Sequence, residues 1–267
     1  MAESSPTLIP LPHRTRGKGE PPLVLIHGFG SDHQGWSGIA GPLSRLRRTI
    51  AFDLPGHGGA MAWTPPPHAA AGARAVIDSL DAMGISRAVF IGHSLGGAVS
   101  ALVGLKRPDL VERLILLAPG GFGPEMNAGL LRRYAGARDE ESLRAVLPGF
   151  FAPDAVVPPV MARLGAQARA TPGVTEALEA VVKLIARDEG QGVLPLADLA
   201  AQPFPVSLVW GDADGVLPVS QAHAAPPAFA RHILPGVGHM PHIEAPDLVL
   251  RIVAEALREG RAEPLAG

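Results

Sequence analysis

The sequence contains no cysteine, a single tyrosine and only 4% aromatic residues. Without thiols the chain can form neither disulfides nor a thiolate-ligated metal centre, and a cytoplasmic protein is the expectation. Charge is sparse as well: 18% of the 267 residues are charged, and the net charge is −2. Such a chain has no basic field to hold a polyphosphate backbone, so nucleic acid is not an expected partner. Long hydrophobic runs are also missing. Prolines and charges interrupt every apolar stretch well short of the roughly 20 residues a membrane span needs. Residues 1–22 lack the basic start and apolar block of a secretory signal. What is present is a chain that is 47% hydrophobic, too apolar for a disordered protein. Its length fits one large domain with a modest insertion.

Five short, continuously apolar runs read as buried strands, at 23–27, 49–53, 88–92, 114–118 and 206–211, with a weaker one at 231–234. Unbroken apolar character is expected of parallel strands covered by helices on both faces. Helical spacing appears between them. Residues 69–83 repeat apolar side chains at Ala73, Val76, Ile77 and Leu80 before Gly84 stops the run. Residues 95–106 are rich in small side chains, and 246–258 place Leu248, Ile252, Val253 and Leu257 on one face, with Asp247 near the start. This alternation predicts an α/β fold with a mostly parallel central sheet and helices on both faces.

From 121 to 201 no strand pattern occurs. Helix-like pieces at 126–134 and 175–187 are separated by Pro148, Pro153, Pro158, Pro159 and Pro172. The expected organisation is a lead (1–20), a core (21–120 and 202–260) and a helical cap inserted in it (121–201). The cap is expected over the C-terminal ends of the strands, where open α/β sheets bind ligands. Pro65-Pro66-Pro67 reads as a stiff loop.

The strongest chemical signal is Gly92-His93-Ser94-Leu95-Gly96, followed by Gly97, between a strand pattern and a helix pattern. A serine hydroxyl is a poor nucleophile until it is presented and deprotonated. A tight strand-to-helix turn presents it, and glycines two before and two after leave room for the bend. Ser94 is the expected nucleophile. An acid and then a histidine follow it, the order this arrangement uses. Gly211-Asp212-Ala213-Asp214 comes after one strand, and Gly236-Val237-Gly238-His239-Met240-Pro241-His242 after the last. His239 is the expected base, its ring oriented by a carboxylate that also stabilises the imidazolium. Asp214 is preferred for that carboxylate because it lies further out on the loop and can bend back. Asp212, next to the strand, ties the turn together through backbone hydrogen bonds.

The other histidines read structurally. His27 is a buried residue bonded to loop backbone, and His57 braces a turn in Asp53-Leu54-Pro55-Gly56-His57-Gly58. His93 diverges from the serine beside it, and His242 starts the last helical segment and points differently from His239. His13, His33, His68, His223 and His232 have no constellation around them and are assigned to the surface. No histidine–carboxylate spacing matches a compact metal motif, so neither a metal nor a cofactor is expected. The oxyanion of acyl transfer needs preorganised donors. One is the backbone N–H of Leu95; the other is that of Phe29 in His27-Gly28-Phe29-Gly30, whose glycines let main chain approach a substrate. Leu147, Phe150, Phe151 and Met240 are candidates for an apolar pocket around a small-molecule acyl substrate, although core packing explains them equally well.

HGFG, DLPGHG, GHSLGG, WGDADGVLP and GVGHMPHIEAP, in this order, resemble the α/β-hydrolase superfamily from about residue 21 onward. The resemblance implies Ser94, Asp214 and His239 as triad and Phe29 and Leu95 as oxyanion donors. The segment LAPGGFGPEMN, 117–127, is similar to the α/β-fold domain of the dihydrolipoamide acetyltransferase component of acetoin dehydrogenase systems. That family usually carries a lipoyl domain ahead of this one, whereas a short Pro-rich lead precedes the first strand here. A stand-alone serine hydrolase is therefore expected, a carboxylesterase cleaving small or medium substrates through a Ser94 acyl-enzyme. The alternatives are an acyltransferase, a C–C bond hydrolase and a slow-turnover ligand receptor. Ser94 argues against the halide and epoxide chemistry of family members with aspartate at that position.

Overall fold

Alternate residues of a strand point to opposite faces of its sheet, so parallel strands buried on both faces divide their side chains between two cores. The computed structural model describes residues 9–61, 68–186 and 190–259; Pro65-Pro66-Pro67 and Arg187 lie outside them. Its strands are β1 (His13–Arg16), β2 (Leu23–Ile26), β3 (Thr49–Phe52), β4 (Ala88–His93), β5 (Val111–Leu117), β6 (Val206–Gly211) and β7 (Ala230–Leu234). They form one sheet in the order β1-β3-β2-β4-β5-β6-β7. All neighbours are parallel except β1, which runs antiparallel to β3 at the edge. The expected mostly parallel α/β sheet is present.

The helices between the first strands are α1 (Ser37–Leu46), α2 (Ala69–Ala82) and α3 (Leu95–Lys106). Between β5 and β6 come α4 (Ala128–Gly136), α5 (Glu140–Val146), α6 (Pro159–Arg169), α7 (Val174–Ile185) and α8 (Leu196–Ala200). The chain then continues through α9 (Ser220–Ala224), α10 (Pro241–Glu244) and α11 (Pro246–Glu259). Leu23 and Leu25 of β2 enter one core with α1 and α11, while Val24 and Ile26 enter a larger one with α2 and α3. The helices between β5 and β6 join this larger core through Leu130, Leu143, Leu178 and Val181. No helix among the described residues is long and apolar enough to cross a membrane.

Local chemistry accounts for the helix boundaries. Asp139 and Ser142 exchange hydrogen bonds in a capping box that starts α5. Three differences from the sequence-based expectation have physical causes. β1 is His-Arg-Thr-Arg, exposed throughout, and only its pairing with β3 makes it a strand. α5 and α6 lie in the proline-punctuated region: Pro148 follows the end of α5, and Pro158 and Pro159 open α6, where proline is best tolerated. Leu248 is 38% exposed, because α11 turns Val249, Ile252, Val253 and Ala256 inward instead.

The loops after β2, β4, β6 and β7 all leave the C-terminal ends of parallel strands. They therefore meet along one edge of the sheet.

Candidate active site

β4 passes into α3 through one residue. Ser94 has φ 51° and ψ −114°, a region that strains a non-glycine residue by about 1–3 kcal/mol. Its neighbours explain why the turn forms only with glycine around it. A Cβ on Gly92 would lie 2.5 Å from Ser100 Oγ, and one on Gly96 would meet the His27 carbonyl oxygen at 2.5 Å and crowd that of Ile26. The first turn of α3 thus packs directly on the end of β2. Backbone bonds hold the strained residue: the Ser94 N–H donates to Leu117 O at 3.0 Å, and Ser94 O accepts from Gly97, Ala98 and Gly120.

The loop after β2 passes close beside this serine. A Cβ on Gly28 would lie 3.2 Å from the Ser94 Cβ and 2.7 Å from His93 Nδ1. His27 Nε2 accepts the Leu54 N–H at 2.9 Å, so Nδ1 carries the proton and donates to Gly28 O at 2.7 Å. This is the backbone-bonded, buried role expected for His27. The N–H groups of Phe29 and Leu95 take no acceptor among the described residues. Leu95 opens α3, where the helix dipole favours negative charge and the first N–H groups have no intrahelical partner.

In the loops after β6 and β7, His239 Nδ1 lies 2.8 Å from Asp214 Oδ2, with both side chains almost fully buried. The other carboxylate oxygen accepts the N–H groups of Val216 and Leu217 at 2.8 and 2.9 Å. Asp214 is thereby fixed in orientation, and Nδ1–H of His239 is committed to it. Asp212 accepts the Gly236 N–H at 2.7 Å and ties the two loops together. The Ser94 hydroxyl makes no hydrogen bond among the described residues. Such contacts often close only when substrate arrives.

Two side chains given no role from the sequence hold the site's loops. Glu244 accepts from Ala152 and Gly238 through Oε2, at 2.9 and 3.0 Å, and from Met240 through Oε1 at 3.0 Å. Tyr134 of α4 donates its hydroxyl proton to Gly30 O at 3.0 Å. The Nε2–H of His93 donates to the His239 carbonyl at 2.8 Å. Its ring lies between those of His239 and His242, with centroids at 5.0 and 4.6 Å, and Trp36 covers His242. Burial holds the His93 pKa well below the usual imidazole range and pushes that of His242 down to about 3. Burial likewise lowers His27 to about 4 and His57 to about 3. These rings are neutral near pH 7.

The four pocket candidates all lie in or against the larger core but make different contacts. Phe150 is buried with its ring 6.3 Å from that of His239, and its carbonyl accepts the His239 N–H at 2.9 Å. Phe151 packs its backbone against Gly238 and lines a cavity of about 600 Å³ with Ala213, Gly236 and Glu244, which no triad candidate borders. Leu147 is buried in the larger core, and Met240 is half-buried against it. The notable metal-ligand grouping among the described residues is Asp32, His33 and Asp53. His33, assigned to the surface from sequence, is half-buried and bonds Asp53 Oδ1 through Nδ1 at 2.8 Å. Burial pushes the Asp53 pKa up, but N–H groups of Gly59 and His33 more than offset this and lower it. Its oxygens are already engaged by those donors, and Asp32 accepts the Gln34 N–H.

A sheet of this order with a strained serine at the β4–α3 turn defines an α/β-hydrolase-fold enzyme of the serine-hydrolase type. Residues 23–252 match the model of the alpha/beta hydrolase family, and the chain belongs to that family. It is 34% identical over 243 residues to the dihydrolipoyllysine-residue acetyltransferase component of the acetoin cleaving system of Pseudomonas putida. That match covers 91% of this chain and 65% of the relative, so the chain spans slightly less than two thirds of the relative's length. It is 29% identical over 259 residues to 2-hydroxymuconate semialdehyde hydrolase of Pseudomonas putida, covering 92% of this chain and 90% of the relative. Among solved structures, a meta-cleavage product hydrolase, CumD of Pseudomonas fluorescens IP01, superposes with a TM-score of 0.79 at 25% identity, covering 92% of this chain and 94% of the other.

Proposed function

We propose that this enzyme hydrolyses the carbon–carbon bond beside a carbonyl in a small conjugated keto or aldehyde acid. Ser94 acts as nucleophile, His239 as base, Asp214 as its orienting acid, and the N–H groups of Phe29 and Leu95 as oxyanion donors. The substrate class is carried by the end-to-end likeness to 2-hydroxymuconate semialdehyde hydrolase and a meta-cleavage product hydrolase, over nine-tenths or more of both chains. The geometry supports the chemistry. The helices of 121–201 act as a cap, since Tyr134 and Phe150 reach the site from them.

Ser94 Oγ adds to the carbonyl carbon while its proton passes to His239 Nε2, and the carbonyl oxygen becomes an oxyanion between the two N–H groups. For that step the dienoate must react as its keto tautomer, its 2-hydroxyl proton having moved to the carbon next to the attacked carbonyl; the bond between that now tetrahedral carbon and the carbonyl carbon then breaks. Its electron pair leaves as an enolate conjugated to the far end of the acid, and the proton held on His239 neutralises it. Water, deprotonated by His239, hydrolyses the Ser94 acyl ester and regenerates the hydroxyl. Ester hydrolysis would use the same groups with an alkoxide leaving. Acyl transfer to a thiol is a second reading, favoured by the 34% identity to the acetyltransferase component.

One experiment separates these. Purified enzyme is given 2-hydroxymuconate semialdehyde, p-nitrophenyl esters of graded length, and acetyl-coenzyme A with dihydrolipoamide. The expected result is loss of the dienolate absorbance at a kcat/KM well above that for any ester. A higher value for an ester, or rapid acetyl-dihydrolipoamide formation, overturns the proposal.

A further inference from the structure

Acyl chemistry at this site needs the oxyanion donors and the base at a fixed separation. The topology does not provide it directly. Phe29 follows β2 and His239 follows β7, and β4, β5 and β6 stand between those strands. Besides His93, a side chain from the inserted helices helps to bridge the gap. The Tyr134 hydroxyl donates to Gly30 O at 3.0 Å, and its ring stands edge-on to Phe29 at 6.0 Å. Gly30 has φ +72°, and a Cβ there would run into the Tyr134 ring, so glycine lets the loop lie flat on it. On its other side the Tyr134 ring meets Phe150 at 5.2 Å, and the Phe150 carbonyl accepts the His239 N–H at 2.9 Å.

The tyrosine is itself braced from behind. The Arg169 guanidinium lies 4.8 Å from the Tyr134 ring centroid. Its Nη2 donates to Tyr134 O at 3.1 Å and its Nη1 to Gly165 O at 3.2 Å, and the residue is only 9% exposed. A buried arginine spent on carbonyls and an aromatic face fixes the end of α4 against α6.

We propose that Tyr134 is a positioning residue that sets the oxyanion donors at their working distance from His239, with Arg169 holding it in place. The inference rests on the roles given above to Ser94, His239 and Phe29, but not on the identity of the substrate. The inserted helices thereby govern the rate of the chemical step more than substrate affinity.

Tyr134→Phe tests this, because it keeps the ring and removes only the hydroxyl. Wild type and variant are titrated with a fluorophosphonate probe, and labelling rate, kcat per titrated site, KM and Tm are compared. Wild type should label at Ser94. Tyr134→Phe should label about tenfold more slowly and lose kcat in parallel, with KM within about twofold and Tm nearly unchanged. Arg169→Met should show a smaller loss in the same direction. An aryl boronic acid, whose adduct places oxygen between the donors, should bind the variant more weakly by a factor similar to the loss in kcat. Unchanged kcat per titrated site in Tyr134→Phe, with or without a lower Tm, overturns the inference while leaving the Ser94 reading intact. A loss confined to KM does the same. A wild type that does not label overturns the Ser94 reading and this inference with it.

Discussion

The proposed nucleophile, Ser94, and the proposed base, His239, are held by different kinds of force. Around Ser94 the geometry is set by exclusion: Gly92 and Gly96 have no room for a methyl group, and Gly28 lies against the serine itself. Around His239 it is set by hydrogen bonds from distant parts of the chain. Asp214 holds the ring, His93 and Phe150 hold the backbone, and Glu244 holds the residues on either side. Sterically defined sites fail abruptly when volume is added, because close-packed backbone yields little. Hydrogen-bonded ones should fail by degrees, one partner at a time.

The largest expected effect lies in the chemistry both sides share. Ser94→Ala should abolish fluorophosphonate labelling and lower kcat by about a million-fold, as loss of a serine nucleophile does in a triad. Asp214→Asn should lower kcat about 10⁴-fold while the fold survives. An asparagine oxygen can still accept from Val216 and Leu217, but its amide would face His239 Nδ1 and force the wrong tautomer. If both variants kept more than a hundredth of wild-type kcat, the elbow and the pair would not form one machine.

The contrast itself is tested next. Gly96→Ala should destabilise the protein by about 3 kcal/mol or prevent folding, because the Ile26 and His27 carbonyls cannot retreat without opening the β2–β4 ladder. A urea midpoint close to wild type would show that the elbow is less tightly enforced than its contacts indicate. Glu244→Gln should act more gently. The carboxylate accepts three backbone N–H groups, and an amide keeps only one accepting oxygen. A stability loss of about 1–2 kcal/mol with kcat reduced roughly tenfold is expected, measured by urea unfolding and steady-state assay. A loss as steep as that of Gly96→Ala would erase the distinction between the two sides.

The same distinction explains which features are legible in the sequence. The strained turn at Ser94 is a local event, so five consecutive residues with a strand before and a helix after carry its geometry. Strands buried on both faces are equally legible, because their continuous apolar character is written directly in the residues. Asp214 and His239 can be paired through chain order alone. Their supports cannot: Tyr134 lies 104 residues from Gly30 and His93 lies 146 from His239, and neither contact leaves a local trace. Glu244 sits only six residues from Gly238, yet its role exists only because the loop folds back over it. β1 is hidden for a related reason. Its exposed His-Arg-Thr-Arg has no hydrophobic alternation, and its strand character comes from β3.

The smallest expected effect follows from the buried histidines, which lie on both sides of the site. His27 has its pKa lowered to about 4, and His57 and His242 to about 3, mainly by burial. In the unfolded chain each should titrate near the ordinary imidazole value of 6.5. The folded values lie below the unfolded ones, so between them the unfolded state binds more protons. Stability contributed by these neutral rings is therefore complete above the unfolded pKa and is lost as pH falls from about 6.5 towards 3. Urea midpoints should be level in this respect above neutrality and drop progressively through that acid window. His242 offers the cleanest dissection, since its Nδ1 has no partner among the described residues and its ring meets those of Trp36 and His93 at tilted angles. His242→Phe keeps an aromatic ring there and removes one titration, so the dependence of unfolding free energy on pH between 6 and 5 should fall by about one proton. An unchanged slope would mean that His242 is protonated in the folded protein as readily as in the unfolded chain, and that burial of the cluster on the base side places no penalty on its charge.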